Sequence, residues 1–592
     1  MSRIVSEPFR DQVTASKGSV FYRTHSYHTK VPPQGIVPMI EHYTDLGDTV
    51  LDPFCGSGMT GVAAMLSGRL GVLSDLSPAA VHIARGHVAA PSPDAVSRAA
   101  NDLLSGLSEI EHDLYGTQCA RCDGSARIEY TVWSDIITCP VCSSKMLFWD
   151  AARRPDGTLS KALTCQSCRQ SFRKSESEIG APRPVLVSVA CSSCGTREQR
   201  GLTAREVEIA SRSRRTSIKD WFPTAPLEPW REMWRGQHGK MGIHTAADFF
   251  TDRNLEALAA VWARARNSEE STTLMFAVTA IVNRASRRYQ WNPKRPTNVL
   301  SGTLYIASLT YEFNVFSLLR RKLAAVRQLA VAQKNSPGSS VVKQRSATNL
   351  SGVADHSIDY VFTDPPFGAN IYYSDASFLW EAWLDDFTIT TEEAIVSTSL
   401  KASHGGKTLS DYETLMSASF EEIVRVLKPG AWASVMFHNS DDAVWSSLER
   451  AIESAGLNLE SAIAFDKSQP SFKGVKQLTN QERVSSFDLV LHLRPATFQR
   501  QRAKPTIAQD RAVRDEIVTA LTTHLRSAPP RLRSTPYLHS FVMRTLLEHN
   551  WPFRGYSYGD VESLLSANFE NRDGAWRISE QSDTSQLNKG LL

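Results

Sequence analysis

The chain reads as an α/β protein built on a doubly wound sheet that is interrupted by two insertions. Three observations carry this. An apolar strand, a glycine-rich loop, a helix and a second strand follow one another between Thr49 and Asp75. Strands and helices alternate again from Ile358 onward, starting with a strand that ends in Asp-Pro-Pro-Phe. Between these halves lie four CxxC pairs and then a long helical stretch. A β-loop-α-β unit is the seed of a doubly wound sheet, so the two halves are expected to rejoin around the insertions.

The elements follow in order. Thr49-Val50-Leu51 is a buried strand, Thr60 to Ser67 a helix of small residues, and Leu70 to Ser74 a strand ending at Asp75. These fall in a first unit, residues 1–114. Residues 115–200 hold the cysteine pairs. Residues 201–335 read as helical, from the apolar spacing in Asn254 to Ala265 and Thr272 to Val282. Asn335 to Ser340 has the Pro-Gly-Ser punctuation of a loop. In residues 336–497, Ile358 to Thr363, Ala431 to Phe437 and Phe487 to Leu493 are expected strands. Phe420 to Leu427 is an expected helix, closed by Lys428-Pro429-Gly430. A basic link with Arg500, Arg502 and Lys504 leads into a C-terminal helical unit, residues 498–592. Its Gly574-Ala575-Trp576-Arg577-Ile578 segment after helices suits a winged helix.

Composition bounds the class. At 592 residues and 65.6 kDa, the length corresponds to about four folding units. With 42% hydrophobic and 22% charged residues, the chain is neither disordered, collagenous nor a coiled-coil rod. Sixty-six Lys and Arg against 62 Asp and Glu leave a net charge of +4, which neither requires nor forbids a nucleic-acid partner. No apolar run is long enough to span a bilayer. Met1 to Val13 is polar and lacks the apolar core of an export signal, so a cytoplasmic protein is expected.

Eight of nine cysteines form the pairs Cys119/Cys122, Cys139/Cys142, Cys165/Cys168 and Cys191/Cys194. In a reducing compartment such pairs are metal ligands or redox sites rather than structural disulfides. Two thiolates on a tight turn grip one side of a metal, and a second pair completes the tetrahedron that zinc prefers. Two structural zinc ions are therefore expected. Two ribbons in sequence are the expected arrangement, first pair with second and third with fourth. Interleaved pairing, first with third and second with fourth, stays open. A ribbon this small has few apolar residues, so the metal should supply its folding energy.

Two motifs carry the chemistry. Gly56, Gly58 and Gly61 spell GxGxxG between a strand and a helix, with Asp75 ending the next strand. Glycines let the backbone approach a nucleotide-like cofactor, and a carboxylate after the second strand suits ribose hydroxyls. By itself this also fits a dinucleotide-dependent oxidoreductase or a turn without a ligand. The second motif is Asp364-Pro365-Pro366-Phe367. The prolines stiffen an exposed turn and donate no hydrogen bonds, so a carboxylate and carbonyls can face one external amino group. Phe367 offers a ring on which a base can stack.

Asp52 to Gly58 together with Asp364 to Phe367 resembles the amino-group DNA methyltransferases, which form N6-methyladenine or N4-methylcytosine. His28-Thr29-Lys30-Val31-Pro32-Pro33 is similar to their additional cofactor motif. With the cysteine pairs, the chain resembles the adenine-specific DNA methylases that contain a zinc ribbon. The resemblance covers roughly residues 20–90 and 340–495. It implies a Rossmann-like methyltransferase sheet that uses S-adenosylmethionine and acts on a base flipped out of DNA. It implies that Thr29, Asp52, Pro53, Phe54, Gly56, Ser57, Gly58 and Asp75 bind the cofactor. Asp364, Pro365, Pro366 and Phe367 are then catalytic, with N4-cytosine or RNA methylation as the alternative. A non-catalytic zinc and nucleic-acid binding protein is a further alternative. Restriction and phage-defence systems are the implied settings and partners. In this chain the cofactor motifs precede the catalytic one. The stretch Arg345-Ser346-Ala347-Thr348-Asn349-Leu350 lacks the acidic residue that the family carries ahead of its catalytic strand.

Two groups have separate readings. Arg212/Arg214/Arg215 and Arg284/Arg287/Arg288, with Trp221, Trp230, Trp234, Tyr289 and Trp291 nearby, are candidates for phosphate contact or for solvated helix faces. Cys55 lies inside the cofactor loop, where packing is expected. No Pro-Cys dipeptide occurs, as methylation at the ring carbon of cytosine would need.

Overall fold

In a computed structural model, residues 5–578 are described except 12, 155–157, 232–233, 235–237, 293–303, 370, 438–440, 467–487, 497–506, 550, 552–554 and 557. The chain opens with β1 (Val13–Thr14), β2 (Thr49–Asp52) and β3 (Leu70–Asp75). The cysteine region supplies β4 (Gly116–Gln118), β5 (Ser125–Thr138), β6 (Lys145–Leu147), β7 (Ala162–Thr164), β8 (Ser171–Arg173), β9 (Ile179–Cys191) and β10 (Arg197–Arg200). After helices comes β11 (Leu309–Phe313). The chain then returns with β12 (Ser339–Gln344), β13 (Ile358–Thr363), β14 (Leu427–Phe437), β15 (Leu457–Asp466) and β16 (Asp488–Pro495). It ends in a hairpin, β17 (Glu570–Arg572) and β18 (Ala575–Arg577).

The main sheet has eight strands in the order β1-β15-β16-β14-β13-β2-β3-β12. β12, β3, β2, β13 and β14 pair in parallel, and β16 runs antiparallel between β14 and β15. Side chains alternate between its faces, as strand geometry requires. Val50, Tyr360, Phe362, Trp432, Met436 and Val490 join one core with the N-terminal and insertion helices. Leu51, Val361, Val435, Phe437, Leu489 and Leu491 join the other. From β2 the order proceeds outward to β3 and β12 on one side and to β13 on the other. The direction of winding therefore reverses between β2 and β13, and the carboxyl ends of strands at such a point form a crevice. Asp52 ends β2, and Asp364 follows the last residue of β13.

Local signals explain the flanking helices. Ser77 caps the helix Pro78–Val88 by accepting from the Ala80 N–H, and proline at its first turn gives up no needed donor. Thr408 and Asp411 form a capping box on the helix Leu409–Val426, which ends where β14 begins.

The cysteine region is not a free-standing module. β5 and β9 form a long antiparallel hairpin that joins β10, β11, β4 and β6 in a second sheet. β11 comes from the stretch read as helical. Glu312 on β11 accepts hydrogen bonds from Trp133 on β5 (2.8 Å), from Thr251 and from Arg253 on the helix Asp252–Arg266. Arg253 and Glu312 are both about 1% exposed, so this ion pair is buried between sheet and helix. Asn254 beside it accepts from the Tyr115 hydroxyl and donates to the Ala285 and Phe313 carbonyls. Residues 115–200 and 201–335, read from sequence as separate units, thus share one core. The C-terminal helices Ile507–Ser527, Thr535–Glu548 and Tyr558–Asn568 likewise place Ile517, Leu538, Val542 and Leu565 in the core behind β14 and β16. Among the described residues no helix is long and apolar enough to cross a membrane.

Candidate functional site

A cleft opens at the switch point, with about 970 Å³ of empty space counting its mouth. Thr29, Asp52, Pro53, Phe54, Gly56, Ser57 and Asp75 line it from the N-terminal half, and Asp364 and Pro366 line it from the second half. Two motifs more than 300 residues apart in sequence thus share one pocket.

Asp52 is a brace within this pocket. One oxygen accepts from the Phe54 N–H (3.1 Å) and the Thr363 hydroxyl (2.7 Å), and the other from the Thr60 hydroxyl (2.6 Å). It therefore ties the end of β2 to the end of β13 and to the helix Met59–Leu66. Burial lifts its carboxyl to about 7. Asp75 steadies the loop from the other side. It accepts from the Gly56 N–H (2.8 Å) and the Ser77 N–H (2.9 Å), and burial raises it to about 6. The buried Cys55 bonds through its N–H to the Ser74 carbonyl, and burial pushes its thiol well up, so it packs and is no nucleophile.

The glycines divide their work. A Cβ on Gly56 (φ +49°) would lie 2.9 Å from the Tyr27 ring, which itself lines the cleft. A Cβ on Gly58 (φ +79°) would lie 2.8 Å from the Ala84 Cβ on the helix Pro78–Val88. Gly58 therefore allows helix packing rather than ligand approach, which corrects the role read from sequence. Gly61 allows the helix to sit close against Leu73 of β3.

The Asp364–Phe367 turn is held by its Pro366 carbonyl. The Tyr412 hydroxyl donates to the Pro366 carbonyl at 2.9 Å. Phe367 does not line the cleft. Its ring is 7% exposed and packs edge-on against Phe437 at 5.5 Å, so the structure puts it in the core instead of on an open face. Sequence reasoning missed several lining residues, among them Tyr27, Ser346, Thr348, Tyr373 and Glu393. Tyr373 hydrogen-bonds Thr29, and burial and then the Asp364 charge push its hydroxyl far up. Ser346 and Thr348 follow β12, whose Gln344 pairs with Asp75. They occupy the stretch where the family's acidic residue is absent, and their hydroxyls bond each other at 2.8 Å.

The cleft is acidic. Asp52, Asp75, Asp364, Glu392 and Glu393 line it. Lys30, the only lysine or arginine among its described lining residues, donates to the carbonyls of Phe21, Tyr22 and His25, and burial lowers it to about 7.

The cysteines gather into two groups, but neither sequential nor interleaved pairing is found. Cys119/Cys122 meet Cys191/Cys194, and Cys139/Cys142 meet Cys165/Cys168, so the pairs are nested. The reason is the hairpin: β5 and β9 run antiparallel, which brings the first pair beside the last and leaves the middle pairs at the far end. Cross-pair Sγ distances are 3.6–3.8 Å. A tetrahedron with Zn–S bonds of about 2.3 Å has edges of about 3.8 Å, so both donor sets fit zinc. All four turns share one backbone. The N–H of each first cysteine bonds the carbonyl five residues on, and the residue after each second cysteine is left-handed: Asp123, Ser143, Arg169 and Gly195. The distal group also has a small core of Ile137, Met146, Ala152, Leu163 and Phe172.

The arginine clusters are largely engaged internally. Arg214 pairs with Glu256, Arg215 with Asp248 and Asp252, and Arg212 with Glu208. Arg284 lies over Tyr289 and Phe313, Arg287 bonds the Phe249 and Asp248 carbonyls, and Arg288 is buried against Asn283. Tyr289 and Trp291 are core residues. The structure therefore gives these arginines to packing rather than to an open phosphate-binding face.

Compared with known proteins, residues 7–86 match a family model for N6/N4 methyltransferases, described as DNA methylase. No curated protein matches. Among solved structures, an S-adenosylmethionine-dependent methyltransferase from Methanosarcina mazei is 11% identical, with 28% of this chain and 76% of that chain covered and a TM-score of 0.15. A 16S rRNA (adenine(1408)-N(1))-methyltransferase from Catenulisporales acidiphilia is 13% identical, with 31% and 75% covered and a TM-score of 0.16. The family match falls on the segment that carries the glycine loop and Asp75, so this part of the chain is similar to the DNA methylases.

Proposed function

We propose that the protein is a DNA methyltransferase that transfers a methyl group from S-adenosylmethionine to the N6 amino group of adenine. The acid-lined cleft at the switch point is the observation that carries this. Five carboxylates and one internally bonded lysine favour a cationic ligand and repel a pyrophosphate, which argues against a dinucleotide. S-adenosylmethionine brings a sulfonium methyl donor and an ammonium group. Asp75, the Gly56–Ser57 backbone, Thr29 and Tyr27 are the residues that would hold it.

An exocyclic amino nitrogen is a weak nucleophile because its lone pair is delocalised into the ring. The Pro366 carbonyl is committed to Tyr412. Asp364 and the Pro365 carbonyl are then the acceptors for the two amino hydrogens, and they draw the nitrogen toward a tetrahedral form with its lone pair toward the methyl donor. The target must leave the duplex stack to reach them. Placement and alignment supply most of the rate, with no covalent enzyme intermediate. The two groups of four cysteines hold structural zinc, since four thiolates leave no site for reacting water.

Labelled methyl transfer to duplex DNA, single-stranded DNA and RNA, followed by nucleoside digestion, tests the reading. N6-methyladenine in DNA is expected, and N4-methylcytosine or methylated RNA would replace it with that chemistry. Asp364→Ala should abolish transfer while calorimetry still shows S-adenosylmethionine binding. Near-normal turnover in that variant overturns the mechanism.

A further inference from the structure

The distal cysteine lobe is rich in exposed cations. Residues 139–178 hold seven Lys and Arg against four Asp and Glu. Counting Lys, Arg, Asp and Glu alone, this 40-residue stretch is +3 against +4 for the whole chain, before the charge of four thiolates and their zinc ion. Lys145, Arg153, Arg154, Lys161, Arg169 and Arg173 are all exposed. Among the described residues none of these six forms an ion pair, and only the seventh cation, Lys174, reaches an acid, Asp135 at 3.9 Å. In the proximal lobe Arg121 and Arg197 are exposed as well, but other cations are paired. There Arg127 pairs with Glu129 and Arg200 with Glu206.

These exposed cations sit on a rigid frame. Lys145 lies on β6, Arg173 on β8, Lys161 just before β7, and Arg169 on the left-handed turn after Cys168. The cysteine group and its small apolar core fix those turns relative to one another. Exposed cations held on folded elements favour a polyanion, whose binding also releases counterions. Four of the six are arginines, whose planar fork suits phosphate oxygens. Separate contacts also lie between the lobe and the cleft. Asp135 accepts from the Ser308 hydroxyl, His238 bonds the Leu304 carbonyl, and Arg231 pairs with Asp375, two residues beyond the cleft-lining Tyr373.

We propose that the distal cysteine lobe is a nucleic-acid backbone clamp, which grips duplex phosphates while the target base enters the cleft. The inference rests on the methyltransferase reading for its partner. Its test reads binding alone, so the two can fail separately.

The test uses the full-length protein and a fluorescent duplex of about 20 base pairs, with affinity measured by anisotropy across a salt series. Lys145→Gln, Lys161→Gln, Arg169→Gln and Arg173→Gln are combined in one variant. Zinc content and S-adenosylmethionine affinity should match the parent, which shows that the variant is folded. The slope of log affinity against log salt should shrink by about 0.9 for each lost phosphate contact, with affinity at least about tenfold weaker. A control combines Arg98→Gln, Arg266→Gln and Lys334→Gln, exposed cations on the helical layer. It should leave slope and affinity unchanged. An unchanged slope in the lobe variant, or an equal loss in the control, overturns the clamp. Retained DNA affinity with lost binding to phosphatidylserine vesicles also overturns it, in favour of a lipid surface.

Discussion

The nested cysteine pairing makes a stoichiometric prediction that no other pairing shares. Replacing the first and fourth CxxC pairs together, with serine at Cys119, Cys122, Cys191 and Cys194, removes every thiolate of one group and none of the other. The variant should keep one zinc per chain, against two in the parent. Sequential or interleaved pairing would leave two half-sites and no firmly held metal. The reciprocal variant, at Cys139, Cys142, Cys165 and Cys168, should also keep one. A structural zinc site of this kind is worth about 10–16 kcal/mol of apparent binding free energy, so a half-site cannot pass for an intact one in washed protein. The two losses should differ in consequence. Cys119 and Cys191 lie in the main core with Ile128 and Val189, whereas the distal group has its own small cluster. Loss of the proximal metal should therefore lower the melting temperature of the whole protein, and loss of the distal one should loosen only that lobe. Elemental analysis after gel filtration gives the count, and S-adenosylmethionine calorimetry confirms the fold. A metal-free protein in both variants would falsify the nested reading, and one zinc in the parent would refute the two-site reading.

Other perturbations follow from the cleft. Gly58→Val should destabilise the protein, since its Cβ meets Ala84 at 2.8 Å and φ is +79°, whereas Asp75→Asn should leave the melting temperature near the parent's and weaken S-adenosylmethionine binding. Weak binding in a fully stable Gly58→Val protein would restore the ligand-contact role. Phe367→Ala should cost about 3–5 kcal/mol of stability through lost packing on Phe437, read by denaturant unfolding, and normal stability with weak DNA binding would mean base stacking instead. Burial raises Asp75 to about 6 and Asp52 to about 7, above the unfolded value of about 3.9. The folded state then binds more protons than the unfolded one between about pH 4 and 7, so stability should fall as pH rises through that window. A cationic ligand needs Asp75 ionised, so its affinity should rise with pH through about 6 and then level off. Asp75→Asn should flatten most of that rise, and a parent affinity independent of pH would show that Asp75 does not meet the ligand.

Strands and turns were legible because their signals are local. Thr49–Asp52 and Leu70–Asp75 bracket a glycine loop, and Ile358–Thr363 is apolar up to its Asp-Pro-Pro turn. What was not legible depends on partners distant in sequence. The CxxC turns announce themselves, but which turns meet is set by the register of β5 on β9, an outcome of pairing Ala126 with Cys191 across 65 positions. Gly58 and Gly56 look alike in a motif and differ only in what stands behind them, a helix or a tyrosine ring. The arginines of 212–215 and 284–288 look like a binding surface until Asp248, Asp252 and Glu256 fold against several of them. Ser346 and Thr348 could be found only after β12 was known to lie beside β3.

The position of the insertion accounts for how one chain joins these parts. β3 and β12 are adjacent and parallel, yet the cysteine hairpin and the long helices all lie between them in sequence. A parallel pair always needs a crossover, and lengthening a connection costs only logarithmically in closure entropy. What must be kept is the register at the cleft, and the insertion helps to keep it. The helix Val315–Lys334, its last helix, packs on helices of the first half, and the Gln333 amide bonds the His87 carbonyl while its oxygen accepts from the Ala90 N–H. The same insertion sends Arg231 to Asp375 on the helix that follows the Asp364–Phe367 turn. Both walls of the cleft are thus braced by the insertion that carries the basic lobe.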